Sequence, residues 1–209
     1  MLNTIHLFLF SIMRKIREFL FCRLHWRNRR YAAPSPIFVK RQVLLRNSLV
    51  SATWVETGTF LGETTEFLSK YSNHVVSIEP EPSLFKRASN KFSSYSNIRI
   101  LYGTSEEWFP KILPELNGPV NFWLDGHYSD GITFKGDHQT PILFELQQIS
   151  KNLFRFTDLR IFIDDLRCFG SKSTEYQDYP SIDFLVDWAR QNQLTWHIEH
   201  DIFIAFKNA

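Results

Sequence analysis

At 209 residues, 44% hydrophobic and 16% aromatic with 20 Phe, the composition is that of a chain able to bury a core, which excludes a disordered or fibrous class. Two cysteines, Cys22 and Cys168, argue against a disulfide framework or a zinc site and suit a reducing compartment. The net charge of +2 conceals a split: through Arg46, ten Lys/Arg stand against Glu18 alone, whereas the remaining fourteen bases face 21 acids.

The chain opens with an apolar run, residues 5–13, followed by Arg14-Lys15-Ile16-Arg17-Glu18-Phe19-Leu20-Phe21. The run falls short of the roughly 20 residues that span a bilayer. Its basic residues follow the run, whereas a signal peptide places them before it. The pattern predicts a basic amphipathic helix. Such a helix suits peripheral contact of residues 1–30 with an anionic membrane, in the cytoplasm at the inner face. It equally suits packing on the domain or on the second subunit of a homodimer. The basic residues are confined to this segment and form no recognisable motif, so no nucleic acid is expected as a partner. Ala32-Ala33-Pro34-Ser35-Pro36 reads as a linker, dividing a leader of residues 1–36 from a domain of residues 37–209.

Within the domain, short apolar runs alternate with helical stretches. A helix over 37–50 precedes a strand over 53–56, and a helix over 63–72 precedes a strand over 74–78. A helix over 82–93 leads to a strand at 98–102, and another opens at Ser105 or Glu106 before a strand at 120–124. Helix 141–150, strand 159–163 and helix 182–192 follow. Two runs, 195–199 and 202–206, form a hairpin around His200-Asp201. The alternation implies an α/β, Rossmann-like, doubly wound fold: a mostly parallel seven-stranded sheet with a C-terminal antiparallel hairpin strand.

Two acidic clusters end two of these strands, Asp125-Gly126-His127 and Asp164-Asp165. Ligands of open α/β sheets bind outside the carboxyl ends of the strands. Three carboxylates and an imidazole therefore share one rim, and a hard divalent cation takes such oxygen ligands. The plainer alternative is that Asp125 and Asp164 only end strands or cap turns.

The first strand runs into Glu56-Thr57-Gly58-Thr59-Phe60-Leu61-Gly62, and an acid, Glu79, ends the second. Gly58 permits a tight turn and Gly62 opens the next helix. A carboxylate at Glu79 is placed to accept from both hydroxyls of a ribose. A pyrophosphate prefers a tighter three-glycine loop, which Thr59 and Phe60 would crowd and Glu56 would repel. S-adenosylmethionine is favoured over a nicotinamide dinucleotide on these grounds.

Over about residues 50–206 the chain resembles the class I S-adenosylmethionine-dependent methyltransferases. Its E-T-G-T-x-x-G-x-T-T loop and D-G-H-Y-S segment resemble small-molecule enzymes of that superfamily. The Asp164-Asp165 pair most resembles the metal-dependent macrocin-type sugar O-methyltransferases. That resemblance implies Mg²⁺ at Asp125, Asp164 and Asp165, and a small-molecule or sugar acceptor. It implies cofactor roles for Glu56, Gly58, Thr59, Gly62, Glu79, Ser105 and Asp125. The family's base falls on His127, where the macrocin type has an acid. A neutral imidazole, with an unperturbed pKa of about 6.5, suits proton acceptance from a metal-bound hydroxyl.

The segment 128–138 reads as a loop over the rim, with Asp137, His138 and Glu145 as extensions of the site or, for Asp137, a helix cap. Arg167 either holds an anionic substrate group or neutralises the acid pair. Two other functions fit the same pattern less well. One is a nicotinamide-dependent oxidoreductase; the other is a non-catalytic, membrane-associated binding module.

Overall fold

The computed structural model of the chain describes residues 13, 16–17, 19–126 and 140–207. A leader helix, α1, is continuous over 19–28. The domain then runs α2 (Ile37–Asn47), β1 (Thr53–Thr57), α3 (Glu63–Ser69), β2 (His74–Glu79), α4 (Pro82–Lys91), β3 (Ile98–Tyr102), α5 (Ser105–Ile112) and β4 (Gly118–Leu124). It continues α6 (Ile142–Asn152), β5 (Phe156–Ile163), α7 (Ile182–Gln191), β6 (Thr195–Glu199) and β7 (Ile202–Phe206). The strands form one seven-stranded sheet in the order β3-β2-β1-β4-β5-β7-β6. The first five are parallel, and β7 inserts antiparallel between β5 and β6. This is the expected doubly wound sheet with a C-terminal hairpin.

Period-two alternation sorts side chains onto two cores. Val55, Phe122, Leu124, Ile161 and Ile163 face α5, α6 and α7, which contribute Phe109, Leu146, Ile149 and Leu185. Trp54, Val75, Trp123, Phe162 and Ile204 face the other way, against Val43 and Leu44 of α2 and Leu68 of α3. Both faces of the central strands are thus covered, as continuous apolar runs in a parallel sheet require.

Helix α2 stops at Asn47, short of residue 50. The buried Asn121 amide both donates to Leu49 O and accepts from Leu49 N at 3.0 Å each, holding that backbone in an extended path. Helix α3 stops at Ser69, where Asn97 Nδ2 donates to the Ser69 and Ser72 carbonyls. Strand β5 starts three residues earlier than its apolar pattern, because the buried Phe156 precedes the polar Thr157-Asp158.

The leader touches the domain. Trp26 is buried, its ring edge-on to His200 at 5.7 Å, and Phe19 meets Phe38 at 4.7 Å. Trp26 Nε1 also donates to Ala32 O, tying α1 to the linker. Met13, Ile16, Leu20, Phe21 and Leu24 are exposed. No helix among the described residues is long and apolar enough to cross a membrane. Most of the apolar run at 5–13 lies outside the described residues.

Candidate active site

Register aligns the strand ends. Thr57 pairs with Ile78 on one side and Leu124 on the other, and Leu124 pairs with Ile163. The next residue in each strand therefore emerges on one line: Gly58, Glu79, Asp125 and Asp164. Backbone bonds continue the alignment past the sheet, from Gly58 N to Ile78 O, Asp125 N to Thr57 O and Asp164 N to Leu124 O.

The glycine loop is built for close approach. Gly58 has φ +87°, and a Cβ there would lie 2.6 Å from Asp125 O. Its constraint is thus the contact between the β1 loop and the β4 end. At Gly62, with φ +68°, a Cβ would strike the Phe92 ring at 2.6 Å. Thr59 is buried, with its hydroxyl 2.6 Å from Ser77 Oγ.

Glu79 is held at both oxygens, one accepting from Phe60 N at 2.7 Å and the other from Glu81 N at 3.0 Å. Burial raises its pKa, while these two amides oppose the rise. Each carboxylate oxygen keeps acceptor capacity beyond one amide bond, as a ribose diol requires. The Phe60 amide, which a phosphate-binding loop would present to its ligand, is directed to Glu79 instead.

Glu56 lies beneath this loop, fully buried, with Oε2 accepting from Thr65 Oγ1 at 2.5 Å and Ser77 Oγ at 2.6 Å. Burial lifts its pKa to about 8 against those two bonds. On the opposite face, Glu145 of α6 is buried near Ser105, Thr57 and Gly126, and burial lifts it to about 8 as well, with the two hydroxyls opposing. Ser105 is buried at the start of α5, behind a capping box of Thr104 and Glu107. Among the described residues, Glu56 Oε1 and Glu145 Oε1 are buried polar atoms without a hydrogen-bond partner. Unmet polar atoms at a strand-end rim suit a polar ligand.

The acid cluster assembles from two strand ends. Asp125, Asp164 and Asp165 each offer a carboxylate oxygen, and these all lie within 4.8 Å of one another. Asp165 takes φ +53°, and Asp164 Oδ1 accepts from Asp165 N at 2.8 Å. The donors are hard oxygens, the ligand type that a divalent ion takes.

Sequence reasoning missed the cation already beside them. Lys40, on the first turn of α2, places Nζ 2.5 Å from Asp164 Oδ2 and 3.0 Å from Asp165 Oδ1. Burial opposes its charge, but Asp164, Asp165 and Asp125 outweigh burial and raise its pKa. For Asp164, burial and the Asp125 charge push upward while Lys40 pulls down. Arg167 is committed too, with Nη1 2.6 Å from Asp165 Oδ1 and also bonded to Asp201. It braces the acid pair against the hairpin turn.

His127, Asp137 and His138, with the rest of the loop 127–139, lie outside the described residues. The first turn of α6 is met by Thr140, whose Oγ1 accepts from Ile142 N at 3.4 Å.

No protein-family model matches the chain, and no curated protein matches it. Solved structures do. A provisionally named rRNA methylase from Clostridium thermocellum aligns with TM-score 0.54 and 11% identity, over 84% of this chain and 97% of that one. A SAM-dependent methyltransferase from Aquifex aeolicus gives 0.51 and 14% identity, over 85% and 94%. A provisionally named methyltransferase from Streptococcus mutans, solved in complex with SAH, gives 0.50 and 15%, over 84% and 98%. The Clostridium protein overturns the expectation that nucleic acid is excluded as a partner. That expectation rested on where the basic residues lie, and a fold shared with an rRNA methylase carries no such exclusion. At these identities the likeness establishes architecture: the chain has the class I fold of S-adenosylmethionine-dependent methyltransferases.

Proposed function

We propose that the chain is an S-adenosylmethionine-dependent methyltransferase acting on a hydroxyl group, with a divalent ion such as Mg²⁺ at Asp125, Asp164 and Asp165. The observation that carries this reading is the line of Gly58, Glu79, Asp125 and Asp164 along one rim of the sheet. Glu79 accepts from the ribose hydroxyls. Ser105 borders the adenine, and the loop from Glu56 through Gly58 and Thr59 to Gly62 borders the methionine end, beside Asp125. When bound, the cofactor supplies the methyl carbon and the ion lowers the pKa of the acceptor hydroxyl.

The chain's own residues then position and deprotonate the acceptor. Methyl transfer to oxygen is an in-line displacement, so alignment of acceptor and cofactor is the main requirement. S-adenosylmethionine held by Glu79 and the Gly58 loop would supply the methyl group to the acceptor oxygen, its carbon–sulfur bond breaking with the electron pair left on sulfur. His127, two residues past Asp125, takes the hydroxyl proton. A free sugar hydroxyl and a hydroxyl within RNA are both assayed as acceptors. Calorimetry with S-adenosylmethionine tests the cofactor, and labelled methyl transfer to pooled glycosides and to total RNA tests the reaction. Absence of cofactor binding refutes the class. Transfer that persists in excess chelator refutes the metal alone.

A further inference from the structure

Lys40 occupies an unusual position. It comes from α2, before the first strand, yet its ammonium reaches a carboxylate pair 124 residues later in the chain. Its side chain is 12% exposed, and those of Asp164 and Asp165 are 2% and 9% exposed. A buried acid pair needs a counter-charge, because unpaired burial is strongly unfavourable. Arg167 supplies part of it to Asp165, but it is shared with Asp201. Asp164 has Lys40 as its cationic partner among the described residues.

The spacing of the cluster matches an ammonium. An Mg²⁺ ion holds oxygens at about 2.0–2.1 Å, so two of its ligands stand no more than about 4.2 Å apart. An ammonium hydrogen bond is longer, about 2.7–2.9 Å, and spreads its acceptors further. The three carboxylate oxygens lie within 4.8 Å of one another, and the Lys40 ammonium already bridges two of the acids, at 2.5 Å from Asp164 Oδ2 and 3.0 Å from Asp165 Oδ1.

We propose that Lys40 is a positioning residue that sits in the seat of the divalent ion: it holds Asp164 and Asp165 assembled without metal, and an ion binds there only by displacing it. This rests on the methyl-transfer site described above and adds a competition that the acid triad alone would not have. Arg cannot reproduce the compact point charge of Lys, but it retains the opposing cation. The ammonium and the ion are rivals for the same two carboxylates, so removing the ammonium strengthens metal binding. A lysine with only a structural role would have the opposite effect, since its loss would loosen the ligands.

Mn²⁺ is the probe, its free concentration read by electron paramagnetic resonance on the full chain. Lys40→Met should bind Mn²⁺ at least tenfold more tightly than wild type, and Lys40→Arg should stay near wild type. Equal or weaker binding by Lys40→Met overturns the proposal. So does a failure of both proteins to bind Mn²⁺, which also removes the metal from the proposed function. S-adenosylmethionine affinity in the same samples reports separately on the cofactor reading. A second measurement needs no variant: acylation of wild-type lysines by an N-hydroxysuccinimide ester, mapped by mass spectrometry. Saturating Mn²⁺ should raise labelling of Lys40 several-fold and leave other lysines unchanged; unaltered Lys40 labelling also overturns the proposal.

Discussion

Substituting Gly58 by alanine isolates the contact that seats Asp125 at the rim. Two costs apply. With φ +87°, alanine pays the left-handed penalty, roughly 1–2 kcal/mol for a residue with a Cβ. The added Cβ also falls 2.6 Å from Asp125 O and 3.2 Å from Asp125 C, so backbone must move to admit it. Overpacking of that kind adds about 1–3 kcal/mol. Gly118, at the start of β4, separates the two costs. It has φ +92°, but a Cβ there meets nothing within 4 Å. Gly118→Ala should therefore lose roughly 1–2 kcal/mol, the conformational penalty alone. Gly58→Ala should lose roughly 2–5 kcal/mol, both penalties together. Urea unfolding of the three proteins, followed by far-UV circular dichroism, measures the difference. Should the two variants be equally stable, the loop and the β4 end are not locked together and the account of Gly58 fails.

Three further outcomes are expected. Glu79→Ala should weaken S-adenosylmethionine binding by roughly 1.5–3 kcal/mol in calorimetry, the range for hydrogen bonds to a charged group; unchanged affinity would remove Glu79 from the ribose site. Burial raises Glu145 to about 8, so the folded state keeps a proton that the unfolded state releases above its ordinary value near 4.5. Glu145 therefore stabilises the fold fully below that value, and its contribution is lost as pH rises toward 8, by at most about 1.4 kcal/mol per pH unit. Urea midpoints of Glu145→Gln should accordingly fall less between pH 5 and 8 than those of wild type, and parallel profiles would contradict this. Trp26→Ala should cost roughly 3–5 kcal/mol by thermal or urea unfolding if α1 is an integral part of the fold, whereas a neutral result would make the leader independent of the domain.

The strands were legible because each is a short apolar run between turn residues, and the parallel order follows from the helices between them. Strands β3, β6 and β7 match their sequence patterns at both ends, the last two because His200-Asp201 can occupy positive φ at a tight turn. Where boundaries moved, a distant side chain moved them, as Asn121 does at the end of α2. Period and propensity hold no record of such partners. The rim acids were legible for the same reason as the strands, since each ends one. Lys40 was not: in sequence it is one more base in a basic leader, and its partners become visible only when the sheet brings Asp164 beneath α2. The burial of Glu56 and Glu145 was hidden likewise: Glu56 near a strand end reads as exposed until α3 is seen covering it, and Glu145 on the first turn of α6 reads as exposed until that turn is seen packed against Thr57, Ser105 and Gly126.

The ties of α2 set an order of events for the growing chain. Lys40 waits 124 residues for Asp164, and Asn47 waits 152 residues for Glu199 on the edge strand. Pairings of such separation close late, since loop entropy must be met before they contribute. A nascent polypeptide that has emerged only as far as β4 can pair β1 with both of its neighbours, but it lacks the acid pair, the Phe162 ring that stacks on Trp54 and the edge strand that fixes α2. Charge balance at the rim is thus a property of the finished chain, reached only when the last hairpin has docked.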